Sequence, residues 1–328
     1  MPRLLRIDFP GAVHHLVNRG NRGEPIFRDD ADRAAFLAAL GEVCGKTGWR
    51  VYAYVLLPDH FHVVLTTPQP NLVAGMKWWL GTYTNRFNRR HRLSGHLFGG
   101  RYRALLVDPD GDYLATVCDY VHLNPIRAGC LRTDQPLTDH RWSSLPQLLG
   151  VDVGDSFAWL VPARESPREL ADRLEALRRG RTPEVWRRLR RGWCFGSAGF
   201  RSEIAGRLGQ GVGLTHHGDL PSEAVMAKAE DLIRAGLAEL DWTESDLAAR
   251  PKMDEAKARL ALRLRRETTL GLAWIARRLH LGSIHTARNV LARLRREESG
   301  IGAAATRPSD DSTPAPAAGN LTFDVRWD

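Results

Sequence analysis

Lysine is scarce in this chain, limited to Lys46, Lys77, Lys228, Lys252 and Lys257, so arginine carries most of the basic charge. Cysteine is scarcer still. Cys44, Cys118, Cys130 and Cys194 are widely scattered and form no CxxC pair, which argues against both a disulfide framework and a cysteine-ligated zinc site and fits a reducing compartment. No uncharged apolar run is long enough to span a bilayer, so no membrane association is expected. The opening Met1-Pro2-Arg3-Leu4-Leu5-Arg6 lacks the apolar core of a signal peptide, and the expected location is cytoplasmic or nucleoid-associated. There is no internal repeat. The most local absence is of acid: between His60 and Val107 there is no aspartate or glutamate.

What is present is a 328-residue chain with net charge +9 and a hydrophobic fraction of 43%, enough for two domains with real cores. Arginine offers phosphate a rigid donor fork, so the bias suits a nucleic-acid binder, although coding bias would also produce it. The acid-free span holds Lys77, Arg86, Arg89, Arg90, Arg92, Arg101 and Arg103, interleaved with Trp78, Trp79, Tyr83, Phe87, Phe98 and Tyr102. Cations that track a backbone beside rings that stack on bases are the mixture used for single strands. Trp79, Tyr83 and Phe87 keep helical spacing and are expected to pack on a sheet instead. Arg19 and Arg22, flanking Gly20-Asn21, add a candidate phosphate clamp.

Periodicity gives the order of elements. Val13–Asn18 reads as a strand. Asp29 or Asp30 caps a helix with apolar positions Ala34, Phe36, Leu37, Leu40 and Val43. Strands follow over Trp49–Leu57 and His60–Thr66, separated by Pro58-Asp59. A helix over 71–90, a strand over Tyr102–Val107 and a helix from Asp110 or Asp112 to about Leu123 complete the set, with Asn124-Pro125 ending the last. The order β-α-β-β-α-β plus a further helix is the ferredoxin-like pattern, hence an α+β domain with an antiparallel sheet. Beyond it, 151–215 reads as a partly helical connection, with exposed charged helices over 166–191 and a turn-rich stretch over 192–213. Residues 216–298 read as a helical domain, and 299–328 as a disordered tail.

The chemistry is concentrated in two places. On a strand, His60 and His62 share one face while Phe61, Val63 and Leu65 occupy the other. Two neutral imidazoles with an open coordination shell suit a catalytic divalent ion, Mg2+ or Mn2+, although ordinary polar residues on a half-exposed strand share this pattern. In the helix after Asp112, Leu114, Val117, Cys118 and Val121 form the expected buried stripe. Tyr113, Tyr120 and Asn124 cluster on its flank. Either tyrosine is placed to act as a nucleophile or to seal the core edge, and spacing does not choose between them.

Four segments together resemble the single-tyrosine HUH transposases, most closely the REP-associated tyrosine transposase branch. They are His14-His15-Leu16-Val17-Asn18-Arg19-Gly20-Asn21-Arg22, Tyr54-Val55-Leu56-Leu57-Pro58-Asp59-His60-Phe61-His62-Val63-Val64, Gly95-His96-Leu97-Phe98-Gly99-Gly100-Arg101-Tyr102, and Tyr120-Val121-His122-Leu123-Asn124-Pro125-Ile126-Arg127-Ala128-Gly129. The resemblance covers residues 1 to about 150. It implies a ferredoxin-like HUH nuclease domain in which His60 and His62 bind the ion, Tyr120 rather than Tyr113 is the nucleophile, and Asn124 is a third, amide ligand where several relatives have glutamine. The implied reaction cuts and rejoins single-stranded DNA beside palindromic hairpins through a 5′-phosphotyrosine, while the acid-free span itself offers Lys77, Arg86, Arg89, Arg90, Arg101 and Arg103 as DNA-binding residues. The alternative is a non-catalytic DNA-binding regulator on the same scaffold. The assembly expected is a monomer or homodimer.

Near the C-terminus, Leu272–Leu279, a break at Leu281-Gly282-Ser283 and Ile284–Leu294 have the lengths of a helix-turn-helix. Ser283, His285, Thr286, Arg288 and Asn289 would then face duplex DNA; a helical packing domain has the same pattern.

Overall fold

The computed structural model describes residues 7–151, 157–161, 165–180, 186, 189, 192–209 and 223–298. The tail assigned to 299–328 lies outside them, as do parts of the 151–215 connection.

The chain begins with β1 (Ala12–Arg19), α1 (Asp30–Thr47), the hairpin β2 (Arg50–Leu56) and β3 (His60–Thr67), α2 (Leu72–His91), β4 (Arg103–Val107) and α3 (Tyr113–His122). Asp29 is the cap of α1, accepting from the Asp32 amide, and Gly48 in the left-handed region (φ 75°) ends the helix. In α2, Trp79, Tyr83 and Phe87 are buried as expected, and Leu72 and Met76 extend the same stripe at three- and four-residue spacing. Gly75 lets this helix approach β2, since a Cβ there would lie 2.2 Å from the Trp49 ring.

The sheet order is β2-β3-β1-β4-β5, where β5 is the short strand Cys194–Phe195. The first four strands are antiparallel in the ferredoxin-like order. The fifth pairs parallel with β4, Leu106 opposite Cys194 and Val107 opposite Phe195, so the sheet is mixed rather than purely antiparallel. It draws its edge from chain well beyond residue 150.

Alternation sorts the sheet into two faces. Leu16, Phe61, Val63 and Leu65 join Phe36, Leu40, Trp79 and Tyr83 in a core with α1 and α2. Val13, Val64, Leu105 and Val107 join Val117, Tyr120 and Val121 of α3 in a second core. A register shift between Val51 and Ala53 swaps the parity of β2, sending Val51 to the first core and Ala53 and Val55 to the second.

Two elements of the connection differ from expectation. The helix Pro167–Arg179, opened by a capping box between Ser166 and Glu169, is not simply exposed: Leu170 and Leu174 are buried in the second core. In the stretch read as turn-rich, Ala198–Gly209 is a helix. Ser197 Oγ accepts from the Phe200 amide, and Ile204 packs on Ala12 and Leu106. Glycines obscured that apolar spacing in the sequence.

The C-terminal region is helical: Glu223–Glu239, Glu244–Ala249, Glu255–Glu267, Leu272–Arg278 and Ile284–Glu298. It has its own core, including Ile233, Leu247, Leu264, Ile275, Leu279 and Leu291. Lys46 of α1 donates to the carbonyls of Arg265 and Arg266, tying the end of one helix to the sheet domain. Among the described residues no helix is long and apolar enough to cross a membrane.

Candidate active site

The two histidines of β3 sit on the second face with their rings 5.2 Å apart. Each is anchored through Nδ1. The Asp59 carboxylate lies 2.6 Å from His60 Nδ1, and Asp59 is itself gripped at 2.7 Å by Arg19. Burial opposes ionisation of Asp59, yet the His60 hydrogen bond and the nearby charges hold its carboxyl below the ordinary range. His62 Nδ1 lies 2.9 Å from Nε2 of His15, a buried imidazole of β1. Bonding of the inner ring nitrogen to a second group fixes tautomer and orientation, and it leaves Nε2 as the donor atom toward an ion.

Burial above all pushes His62 well below the ordinary imidazole value, with the charges of His15, His60, Arg103 and Arg127 adding to it. His15 is pushed down to about 3 by burial and then by Arg103. His62 is therefore neutral, the form that ligates.

His62 Nε2 is buried and has no hydrogen-bond partner. An orphaned nitrogen of this kind carries a desolvation cost that an ion would remove. Arg103 Nη2 is a second such atom. Arg103 lies opposite Val17 on β4, while Val17 pairs with His62 on the other side. Burial lowers the Arg103 guanidinium, with the Tyr120 phenol opposing the shift. An orphaned metal-binding nitrogen beside an orphaned guanidinium N–H fits a divalent ion carrying a phosphate. Among the described residues there is no group of three or more His, Cys, Asp or Glu able to hold a metal.

Helix α3 separates its two tyrosines. The Tyr120 ring is 5.7 Å from His62 and 5.9 Å from His15, edge-on to both. Tyr113 packs edge-on against Phe195, 5.2 Å away. Val117 and Val121 of the expected stripe are buried and Leu114 and Cys118 pack half-buried against the same core, but Asp119, Tyr120 and His122 are buried as well, so the second half of the helix is covered all round. Tyr120 is thus on the inner face, only 4% exposed, rather than on a flank bordering solvent. The physical reason is the cover supplied from elsewhere. The rings of Tyr120 and Trp186 meet edge-on at 5.7 Å, and the exposed Arg127 guanidinium lies 5.1 Å from each ring centre. The buried Asp119 is bridged by Arg173, which also pairs with Glu165.

Asn124 is buried and its Nδ2 donates to the Tyr120 carbonyl at 3.0 Å, one turn back. That bond fixes the amide and leaves Oδ1 as its acceptor.

The candidate phosphate-binding cations divide. Arg86 pairs with Glu42 and Arg90 with Asp29 and Asp32, so α1 supplies the acids missing from the 60–107 span. Arg19 is committed to Asp59, and Arg103 reaches the site itself. Arg22, Lys77, Arg89 and Arg101 are exposed. Sequence reasoning assigned no role to His15, Asp59, Arg127 or Trp186. His15, Asp59 and Arg127 lie within the quoted motifs, but Trp186 had no local signal.

Residues 10–124 match the family described as Transposase IS200 like. No curated protein matches the chain. A solved structure titled as the REP associates tyrosine transposase bound to a REP hairpin is 19% identical, covering 50% of this chain and 100% of its own, with a TM-score of 0.38. A putative transposase from Deinococcus radiodurans R1 is 20% identical, covering 37% of this chain and 95% of its own, with a TM-score of 0.26. Over residues 10–124 the chain is thus similar to the IS200-like transposase family.

Proposed function

We propose that this domain cuts and rejoins single-stranded DNA beside imperfect palindromic hairpins, using Tyr120 as nucleophile. The observation that supports the reading is the edge-on approach of the Tyr120 ring, at 5.7 Å, to the ring of His62, whose Nε2 has no partner. His60 and His62 through Nε2, with Asn124 through Oδ1, would hold Mg2+ or Mn2+, which supplies Lewis-acid polarisation of the phosphoryl oxygens.

The residues of the chain do the rest. Asp59 and His15 keep both ligand imidazoles in the binding tautomer. Arg103 donates to a non-bridging phosphate oxygen and offsets charge that develops there. Tyr120 Oη attacks phosphorus and the bond to the 3′ oxygen breaks, giving a 5′-phosphotyrosine and a free 3′-hydroxyl. In net terms the phenolic proton is exchanged for one on the departing oxygen. Attack by a later 3′-hydroxyl reverses these bond changes and reseals a strand, so no external energy source is consumed. Arg127, whose guanidinium lies across the Tyr120 ring, would hold a neighbouring phosphate.

The test is cleavage of end-labelled hairpin DNA with single-stranded flanks, in Mn2+ or Mg2+ and again after chelation. The reading expects metal-dependent release of a fragment ending in a 3′-hydroxyl. Hairpin binding with no cleavage in either metal would instead support the non-catalytic regulator.

A further inference from the structure

We infer that the exposed face of the helix Ile284–Glu298 docks on duplex DNA, giving this chain a second nucleic-acid site separate from the one on the sheet. Three observations carry this, and none depends on the tyrosine chemistry.

The first is rigidity. Helices Leu272–Arg278 and Ile284–Glu298 are joined by a tight turn in which His280 and Gly282 have positive φ, and Leu279 and Leu281 are fully buried. The buried ammonium of Lys257 donates to the carbonyls of Leu247 (2.8 Å) and His280 (3.1 Å), fastening the turn to the preceding loop. Ser283 Oγ accepts from the Thr286 amide and so caps the second helix. Ser283 and Thr286, expected as DNA contacts, therefore have a structural use in the turn.

The second is charge. Most arginines of this region with described partners are matched to carboxylates. Arg259 pairs with Glu255, Arg263 with Glu239 and Glu267, and Arg278 with Glu230 and Glu244. Around the turn the pattern changes. Among the described residues no carboxylate is within ion-pair distance of Lys252, Arg277 or Arg288. Lys252 lies against the turn, its Cδ 3.1 Å from where a Cβ on Gly282 would sit. His285, Arg288 and Asn289 fall at three- and four-residue spacing on the exposed side of the second helix, opposite the buried Ala287, Val290 and Leu291. Ile284, 42% exposed at the start of the same helix, adds an apolar side chain suited to a thymine methyl. Unneutralised cations, an amide and an apolar tip at the start of a firmly held helix are the chemistry of major-groove reading.

The third is placement. Among the described residues, Lys46 of the sheet domain meets this helix at Arg265 and Arg266, while the turn is fixed at Lys257, about 13 Å back along the same helix at 1.5 Å per residue. The proposed face thus lies toward the end of that helix away from this contact.

The experiment uses the full chain in chelator and measures anisotropy of a short blunt random-sequence DNA duplex over a series of salt concentrations. Arg288→Ala with Asn289→Ala should weaken duplex binding about tenfold or more and lower the salt slope by about one. Arg259→Ala, which removes a matched arginine, should leave both unchanged. Hairpin cleavage by the double variant should equal the parent's, so failure of the nuclease reading leaves this measurement intact. Unchanged duplex affinity in the double variant, with its melting temperature preserved, would overturn the inference. Equal binding of duplex RNA would also overturn it, because the A-form major groove is too narrow for a helix.

Discussion

The two faces of one sheet are built from adjacent residues yet differ in kind. Phe61 points into a closed aromatic layer, its ring centre 4.9 Å from Phe36 and 5.1 Å from Trp79. Its neighbours His60 and His62 point to the other side, where imidazoles, a phenol and guanidiniums gather. One face excludes water and stabilises the fold. The other gathers His62 Nε2 and Arg103 Nη2, both buried without a hydrogen-bond partner, beside the Tyr120 ring. Side-chain alternation along a strand is what allows one tripeptide to serve both ends.

That contrast can be broken by substitution. Tyr120→Phe should lower hairpin cleavage by about 10^4-fold or more, as loss of a nucleophile does, with the melting temperature almost unchanged. Tyr113→Phe should retain activity. Phe61→Ala should do the opposite kind of damage, costing about 3–5 kcal/mol in denaturant unfolding; stability close to the parent's would show that the first face is not the closed core described. His15→Leu removes the partner of His62 Nδ1 and should weaken Mn2+ binding without DNA by about 10–100-fold. His15→Gln, which can still bond to that nitrogen, should recover part of the loss, and equal weakening by both variants would mean that His15 merely fills space.

Acid stability offers a separate handle on the second face. His122, on the second face, bonds Ser144 Oγ at 3.1 Å, and its Nδ1 is buried without a partner. Burial, then the charge of Arg173, pushes it down to about 3. Its folded value lies below the unfolded one, so the unfolded chain binds the extra proton. Stability is therefore full above the ordinary imidazole value of about 6.5 and falls at up to about 1.4 kcal/mol per pH unit as pH drops toward 3. His122→Gln should flatten this part of the unfolding-versus-pH curve; an unchanged slope would count against a neutral buried imidazole.

Much of this was legible in the sequence, and the parts that were not have a common cause. The strand and helix order through Val107, the sharing of a face by His60 and His62, and the burial of Trp79, Tyr83 and Phe87 all follow from local periodicity. What depends on distant chain was hidden. Burial on α3 extends beyond the expected stripe because Trp186 covers Tyr120 and Arg173 engages Asp119. The acid-free span looked like an open cationic surface, but Asp29, Asp32 and Glu42 of α1 neutralise Arg86 and Arg90 across a helix interface. His15 carried no signal as a partner of His62, since antiparallel register between β1 and β3 brings them together.

The most direct test is to digest the protein after reaction with hairpin DNA and Mn2+ and to find the DNA-linked peptide by mass spectrometry. A phosphodiester at Tyr120, absent when the metal is chelated, is the predicted result. A link at Tyr113 or any other side chain would contradict the account.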